Sequence, residues 1–259
     1  RIITDSSTAI AALEKGELDF LSHAPLTAKM SIQDNEELSW YETPIRGLVY
    51  LCFRIDSEIF QNTTLRKAIQ MGIDKEAMVI GGVEGNGEPI STMIPESCTA
   101  APQDFPDVAY DLEGAKELLA EAGYPDGLTV TLYTQENATY MKPTQVMQGQ
   151  LANMGITAEI ETLERTAFFE GQNSGTWDIW VSHWTVPTGD ADFLYRLAHS
   201  SMIGTSNNAT HVQDPALDEA LERGRLSSDL DDRVAAYTDA CQIIQDNAYW
   251  VPLYTFAAP

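Results

Sequence analysis

An indole and two carboxylates follow one another in the stretch "SHWTVPTGDADF", residues 182–193. Asp190 could act as the acid or base of a hydrolase, with Asp192 or Glu136 as its partner. Such enzymes need two carboxylates about 5 to 10 Å apart in unlike environments, which neighbours two residues apart on a loop rarely provide. The two aspartates could instead cap the helix that follows. We favour a third interpretation, in which this loop follows a strand and lines a cleft at the strand's carboxyl end.

Metal binding is a second chemistry to consider. The candidate ligands are the histidines His23, His183, His199 and His211. None is paired with another His or Cys at ligand spacing, and no HExxH motif occurs. His183 alternates with Ile179 and Val181, so we expect it on the buried side of a strand. That position favours a satisfied core or cleft histidine, with uptake of a metal or metal chelate through His183 as the alternative.

Two further motifs are weak. The glycines of "GGVEGNG", residues 81–87, do not follow a strand and precede no Lys-Ser or Lys-Thr pair, and Glu84 and Glu88 would repel phosphate. This segment predicts a plain flexible loop. Because no GxSxG elbow is present, nucleophilic hydrolysis has no support.

Composition limits the partners. The chain has 15 Lys and Arg against 39 Asp and Glu, a net charge of -24, which disfavours nucleic acid and anionic membrane surfaces. No apolar run approaches the roughly 20 residues that span a bilayer, and the amino end lacks a secretion signal, so we expect a soluble chain. The three cysteines Cys52, Cys98 and Cys241 are far apart and allow at most one disulfide. No cofactor is expected.

The elements that position the loop alternate regularly from residue 112. A helix behind the N-cap Asp111 leads to the strand "LTVTLY", then a helix, the strand "ITAEIETL", a short helix and the strand "WDIWVSHW". This rhythm is typical of βαβ units with parallel strands. The sequence therefore predicts an α/β fold.

Other segments flank this block. Asp214 and Pro215 predict a helix start, and a helix from about 231 to 247 carries a core stripe. The closing "YWVPLYTF" is strand-like but contains Pro252, which predicts an edge strand or a crossing segment. A short strand at residues 1–3, a small helix and a long β-rich segment open the chain. Strands at both ends suggest that both termini belong to a second body.

Several motifs together resemble one family. "STAIAALEKGELDF" is similar to a helix that ends at a Gly-Glu-x-Asp turn, and "FQNTTLRKAIQMGIDKEAMV" is similar to a signature that includes Phe60, Arg66 and Asp74. "YDLEGAKELLAEAGYPDGLTVTLYT", "WTVPTGDADFLYRLAHSS" and "AYWVPLYTF" match further segments in the same order. In this combination the chain resembles the extracellular solute-binding proteins of peptide-type ABC importers, which include dipeptide-, oligopeptide- and nickel-binding members.

The chain departs from this family in two ways. Complete members are about twice as long, so the amino-terminal half is expected to be missing. Peptide-binding members place an aspartate three residues after the loop tryptophan to pair with the ligand's amine, whereas this chain has Pro187. Loss of such a charge-assisted bond would cost roughly 1.5 to 3 kcal/mol. Asp190 is the candidate substitute, and otherwise the ligand is another cation or an uncharged solute.

The resemblance implies a periplasmic-binding-protein-like fold, with one near-complete α/β lobe and part of a second, β-rich lobe. It assigns residues 1–57 to lobe I, residues 58–246 to lobe II and residues 247–259 to a return strand. It further implies a monomeric, non-enzymatic receptor that captures a peptide or other small solute between two lobes for a membrane permease. Such receptors are periplasmic or extracellular, and some are membrane-associated lipoproteins. The expected ligand-binding residues are His183, Trp184, Thr185, Pro187, Asp190, Tyr133 and Tyr140.

Overall fold

The computed structural model describes most of the chain and divides it into two compact units. The first contains residues 1–45 and 256–259, and the second contains residues 46–255. The description leaves out residues 1, 2, 4, 23, 25–27, 42, 176, 206 and 259, and the side chains of 43–46, 138, 139 and 256–258. Of the strand expected at residues 1–3, residues 1 and 2 lie outside the described residues and Ile3 is not in a strand; His23 also lies outside them.

In the first unit, helix α1 spans Ser6–Glu14 and helix α2 spans Lys29–Gln33. Asp5 begins α1 as its N-cap, since its carboxylate accepts a hydrogen bond from a backbone N–H of the first turn. Ala9 and Ala12 form the buried face of this helix. The small helix predicted for this region is confirmed.

A six-stranded sheet organises the second unit. Its strands are β1 Thr43–Phe53, β2 Gly87–Pro89, β3 Leu128–Gln135, β4 Ile156–Leu163, β5 Ile179–Thr185 and β6 Trp250–Ala258. The strand order is β2-β6-β1-β5-β3-β4. Strand β3 pairs in parallel with β4 and β5, whereas β1 pairs with β5 in the antiparallel direction. The parallel βαβ block is confirmed, within a mixed α/β sheet.

Eight helices accompany the strands in the described part of this unit. They are α3 Thr63–Met71, α4 Lys75–Val83, α5 Leu112–Glu121, α6 Ala138–Met154, α7 Arg165–Ser174, α8 Phe193–Ala198, α9 Pro215–Leu226 and α10 Leu230–Asn247. Asp111 and Asp214 cap α5 and α9 as predicted, each accepting backbone N–H bonds. Among the described residues, no helix combines the length and apolar character needed to cross a membrane.

The sheet is buried on both faces. Leu48 and Trp180 belong to a large core cluster that also takes in side chains of α7 to α10, including Tyr237, Cys241 and Ile244. Their strand neighbours Val49 and Val181 are just as buried, and neighbouring residues in a strand point to opposite faces. The sheet is therefore the middle layer of the unit. All three cysteines are buried.

Two local predictions need correction. Strand β6 is not an edge strand in the described structure, since it lies between β2 and β1; it does pass from the second unit to the first after Thr255. The glycine-rich segment is not one loop, because α4 continues through Gly81 and Gly82 to Val83. Glu84 then ends the helix in the left-handed conformation, with φ of 56°.

A buried arginine joins the ends of two helices. Arg66 is 2% exposed, and its guanidinium donates hydrogen bonds to the carbonyl oxygens of Phe60, Asn247 and Ala248. The last two carbonyls lie at the end of α10, where helix carbonyls lack internal partners and carry partial negative charge. Burial lowers the pKa of Arg66 to about 10, so the side chain stays charged at neutral pH.

We expect Arg66→Met to lower the free energy of unfolding by about 3 to 5 kcal/mol, because it leaves several buried carbonyls without donors. The matched control is Lys67→Met, which removes the same charge from an exposed position of the same helix and should change stability by about 0.5 kcal/mol or less. Urea denaturation with comparable m-values measures both. Equal losses in the two variants would contradict a specific role for the Arg66 hydrogen bonds.

Candidate functional site

The loop that joins β5 to α8 is held firmly while its tip is exposed. Thr99 bridges to it from a distant segment: the Thr99 N–H donates to the Gly189 carbonyl at 2.8 Å, and the Ala191 N–H donates to the Thr99 carbonyl at 3.0 Å. Pro187 and Thr188, before this bridge, are exposed. The loop thus presents a fixed surface.

His183 and Trp184 lie on opposite faces of the sheet. Successive strand residues alternate in direction, and the contacts agree. His183 meets Tyr140 of α6, whereas Trp184 packs against the core cluster and lies under Arg196 of α8. Thr185, the last residue of β5, is exposed. The predicted site residues therefore form two groups rather than one.

The first group is the pair His183 and Tyr140. The two rings lie 4.9 Å apart, and the Tyr140 hydroxyl is hydrogen-bonded to the His183 imidazole, with Nε2 at 3.1 Å. Burial lowers the pKa of His183. The imidazole is therefore neutral at pH 7, and the pair offers polar but uncharged groups.

The second group contains Trp184 and Tyr133. The Arg196 guanidinium lies 5.9 Å from the centre of the Trp184 ring, within the range of a cation–π contact. Tyr133 stacks on Trp177 with ring centroids 4.5 Å apart and planes 7° from parallel. Gly171 of α7 makes room for this indole, since an added Cβ would lie 2.2 Å from a Trp177 ring carbon.

Asp190 is bound by an arginine of α10. Arg233 donates two hydrogen bonds to its two carboxylate oxygens, at 2.6 and 3.0 Å. These bonds, helped by a backbone bond from Asp192, hold the pKa of Asp190 below its ordinary value. In this backbone bond the Asp192 N–H donates to Asp190 Oδ1 at 2.9 Å, one residue before α8 begins. The negative charge of Asp190 is therefore already neutralised by a neighbour.

Asp192 has a different environment. Burial raises the pKa of this carboxyl, although Arg225 lies 3.3 Å away. Asp192 forms no capping hydrogen bond at the start of α8. Its Oδ1 atom is the oxygen that Arg225 approaches, but this contact is longer than either hydrogen bond from Arg233 to Asp190. Asp192 is therefore held less tightly than Asp190.

Strand β5 is paired unequally on its two sides. On one side it pairs with β1 along its whole length, from Phe53↔Ile179 to Gly47↔Thr185. On the other side, the described strand pairs with β3 are only Leu132↔Ile179 and Tyr133↔Trp180. Since β3 instead follows β4 to its end, the carboxyl-terminal part of β5 has a side to which no strand of the described structure is paired.

The arrangement is unfavourable for acid–base hydrolysis. Both Asp190 oxygens are bound by Arg233, so this residue is poorly suited to exchange protons with a substrate. Glu136, the other candidate partner, is exposed. For metal binding, the described residues include no group of three or more His, Cys, Asp or Glu side chains able to hold an ion.

Sequence reasoning missed the arginines of this region. Arg196, Arg225 and Arg233 contact Trp184, Asp192 and Asp190, respectively. One signal was available: all four basic residues after position 190 are arginines, in a chain with only 15 basic residues. Arginine is the cation best suited to carboxylate and aromatic contacts. The pairing itself joins residues far apart in sequence and could not be deduced from spacing.

Comparison with known proteins agrees with this architecture. The family model described as bacterial extracellular solute-binding proteins, family 5 (middle region), matches residues 1–205. The chain belongs to this family. The glutathione-binding protein GsiB of Salmonella choleraesuis is 30% identical over 98% of the chain and 51% of its own length. The expected family and α/β fold are thereby confirmed.

Two solved structures are similar in fold to this family 5 chain. The periplasmic binding protein DppA from Helicobacter pylori, in complex with the peptide STSA, has a TM-score of 0.88 and 26% identity over 100% of the chain and 51% of its own. HbpA2 from Haemophilus parasuis has a TM-score of 0.88 and 24% identity, covering 99% and 52% of the two chains. This chain spans about half the length of the curated relatives it matches.

The two aspartates of the loop should respond oppositely to neutralisation. The ion pair with Arg233 is mostly buried, with side-chain exposures of 29% and 17%, so Asp190→Asn should destabilise the protein by about 1 to 3 kcal/mol at pH 7. Asp192→Asn should leave stability unchanged or raise it, because it removes a charge that burial disfavours.

The pH dependence supplies the control. A carboxyl with a lowered folded pKa contributes stability above its unfolded value of about 3.9 and loses it as the pH falls through the folded pKa. The difference between wild type and Asp190→Asn should therefore be constant from about pH 5 to 8 and shrink below pH 4. Thermal or urea unfolding across this range measures it, and a difference that persists at pH 2 would refute the electrostatic origin.

Proposed function

We propose that this chain is part of the solute-binding component of an ABC importer, which captures a peptide or related small solute and delivers it to a membrane permease. Family membership supports the receptor class. The observation that carries the proposal is the open side of β5 beyond Trp180. An extended peptide can add its backbone to such a side by strand augmentation.

The ligand would lie beside the carboxyl end of β5. Backbone groups of His183, Trp184 and Thr185 would hydrogen-bond it, and Trp184 would supply an apolar surface. Tyr133 and Tyr140 remain weaker candidates to line the rim of the binding site. The names of the relatives support a peptide-like ligand, since one binds glutathione and another was solved with a tetrapeptide. Asp190 is a weaker candidate for an amine anchor, because Arg233 already neutralises it.

The remaining expectations belong to the same proposal. The protein acts in the periplasm or outside the cell, as a monomer that catalyses no reaction. Residues 1–57 and 247–259 are proposed as parts of lobe I and residues 58–246 as lobe II, with ligand captured between the lobes as the family resemblance implies. Binding would favour the captured state only through contacts that differ between states.

The decisive experiment is mass spectrometry of ligands released from the natural full-length protein after mild purification. We expect a peptide or peptide-like solute, recovered unchanged. Incubation with that solute should give no product. Release of a cleaved product would favour the hydrolase alternative, and a stoichiometric metal ion would favour uptake of a metal or metal chelate through His183.

A second test addresses the indole. Trp184→Ala should weaken binding of the identified ligand about 10-fold or more, since it removes an aromatic contact surface. Tyr110→Ala is the control, because this aromatic residue is half exposed, at 50%, and lies outside the proposed site. Isothermal titration calorimetry measures both variants. Equal weakening, or no effect of Trp184→Ala, would contradict the assignment.

A further inference from the structure

Arg196 has an unusual environment for a cation of this chain. Acidic residues outnumber basic ones by 39 to 15, and most cations of the second unit have a carboxylate partner. Those in ion pairs are Arg54, Lys75, Lys116, Lys142, Arg223, Arg225 and Arg233. Arg196 forms no ion pair with any described residue, although its side chain is exposed on α8.

The contacts of Arg196 leave most of its donors free. The guanidinium carbon lies 5.9 Å from the centre of the Trp184 ring, and Nη2 donates to the Asn207 side-chain oxygen at 2.9 Å. A guanidinium has five N–H donors in one plane. In the described part of the chain the others have no hydrogen-bond partner. An aromatic ring behind a guanidinium fixes its plane without consuming the donors that a carboxylate binds.

The charges around the loop also leave Arg196 available to a ligand. Asp190 is paired with Arg233, and Asp192 lies beside Arg225. Both aspartates of the loop therefore already have a cationic partner, whereas Arg196, beside Trp184, forms no ion pair with a described residue. A ligand group that rests on this surface should be anionic.

We infer that Arg196 is a specificity-determining residue that binds a carboxylate of the ligand beside Trp184. The ligand class is then a peptide or peptide-like solute with a free carboxylate at this position, held through paired N–H···O bonds. This inference rests on the proposed function, because it takes Trp184 as part of the binding site. It deepens that proposal by naming the charge and the chemical group that the site selects.

The test compares ligands that differ only in that group. The natural full-length protein is titrated by calorimetry with trialanine and trialanine amide, and with glutathione and its diethyl ester. The acid of at least one pair should bind at least 10-fold more tightly than its neutral derivative. Arg196→Gln should remove this preference by weakening the acid while leaving the derivative nearly unchanged. Arg223→Gln, the same change in an exposed arginine paired with Asp239, should retain the preference.

The outcomes separate the inference from the proposal beneath it. If acid and neutral forms bind equally, or if Arg196→Gln weakens both forms alike, the carboxylate role is wrong while a peptide receptor remains. If none of the four compounds binds, both the inference and the proposed peptide class are contradicted. Unchanged thermal unfolding of Arg196→Gln confirms that any loss of affinity comes from the exposed guanidinium rather than from misfolding.

Discussion

The unequal pairing of β5 is the constraint on which the candidate site depends. One side of this strand is fixed along its whole length by β1, so its position does not require a neighbour on the other side. Strand β3 leaves it after two residue pairs and continues beside β4. Backbone donors and acceptors in a sheet interior normally find partners. For the proposed extended ligand, an open side next to a strand held this firmly would be a preorganised surface.

Local charges would determine which groups of the proposed ligand this surface accepts. A strongly acidic chain would be expected to offer carboxylates to a bound solute. Around the loop after β5, however, the carboxylates of Asp190 and Asp192 each lie beside an arginine, and Arg196 forms no ion pair with a described residue. Net charge describes solubility and long-range fields. It does not describe the field within a few ångströms of one indole.

Local patterns predicted the elements well. Asp111 and Asp214 correctly predicted the starts of α5 and α9. The period-2 pattern of the strands predicted the parallel block from β3 to β5. The family signature around Phe60 and Arg66 has a structural explanation, because the guanidinium joins that segment to the end of α10. Long-range choices were harder to predict. Pro252 predicted an edge strand, but β6 lies inside the sheet, because the short strand β2 is its neighbour on the outer side.

The site was predicted less completely than the fold. His183 and Trp184 were both expected to contact one ligand, yet consecutive strand residues face opposite ways, and only their backbone can act together. The pairing of Asp190 with Arg233 spans 43 residues, so neither spacing nor composition could reveal it. Asp192 shows the same limit, since only packing determines that its carboxyl is buried beside Tyr237.

The burial of all three thiols has a practical consequence. Cys52, Cys98 and Cys241 are all buried, and burial raises the pKa of Cys52 and, to about 12, that of Cys241. Thiolates are the reactive species, so the native chain should be nearly inert toward maleimide reagents. A single cysteine placed at exposed Thr188 would then accept a fluorophore selectively. Under the proposed function, that label would report solute capture in real time, because the buried native thiols would stay unlabelled.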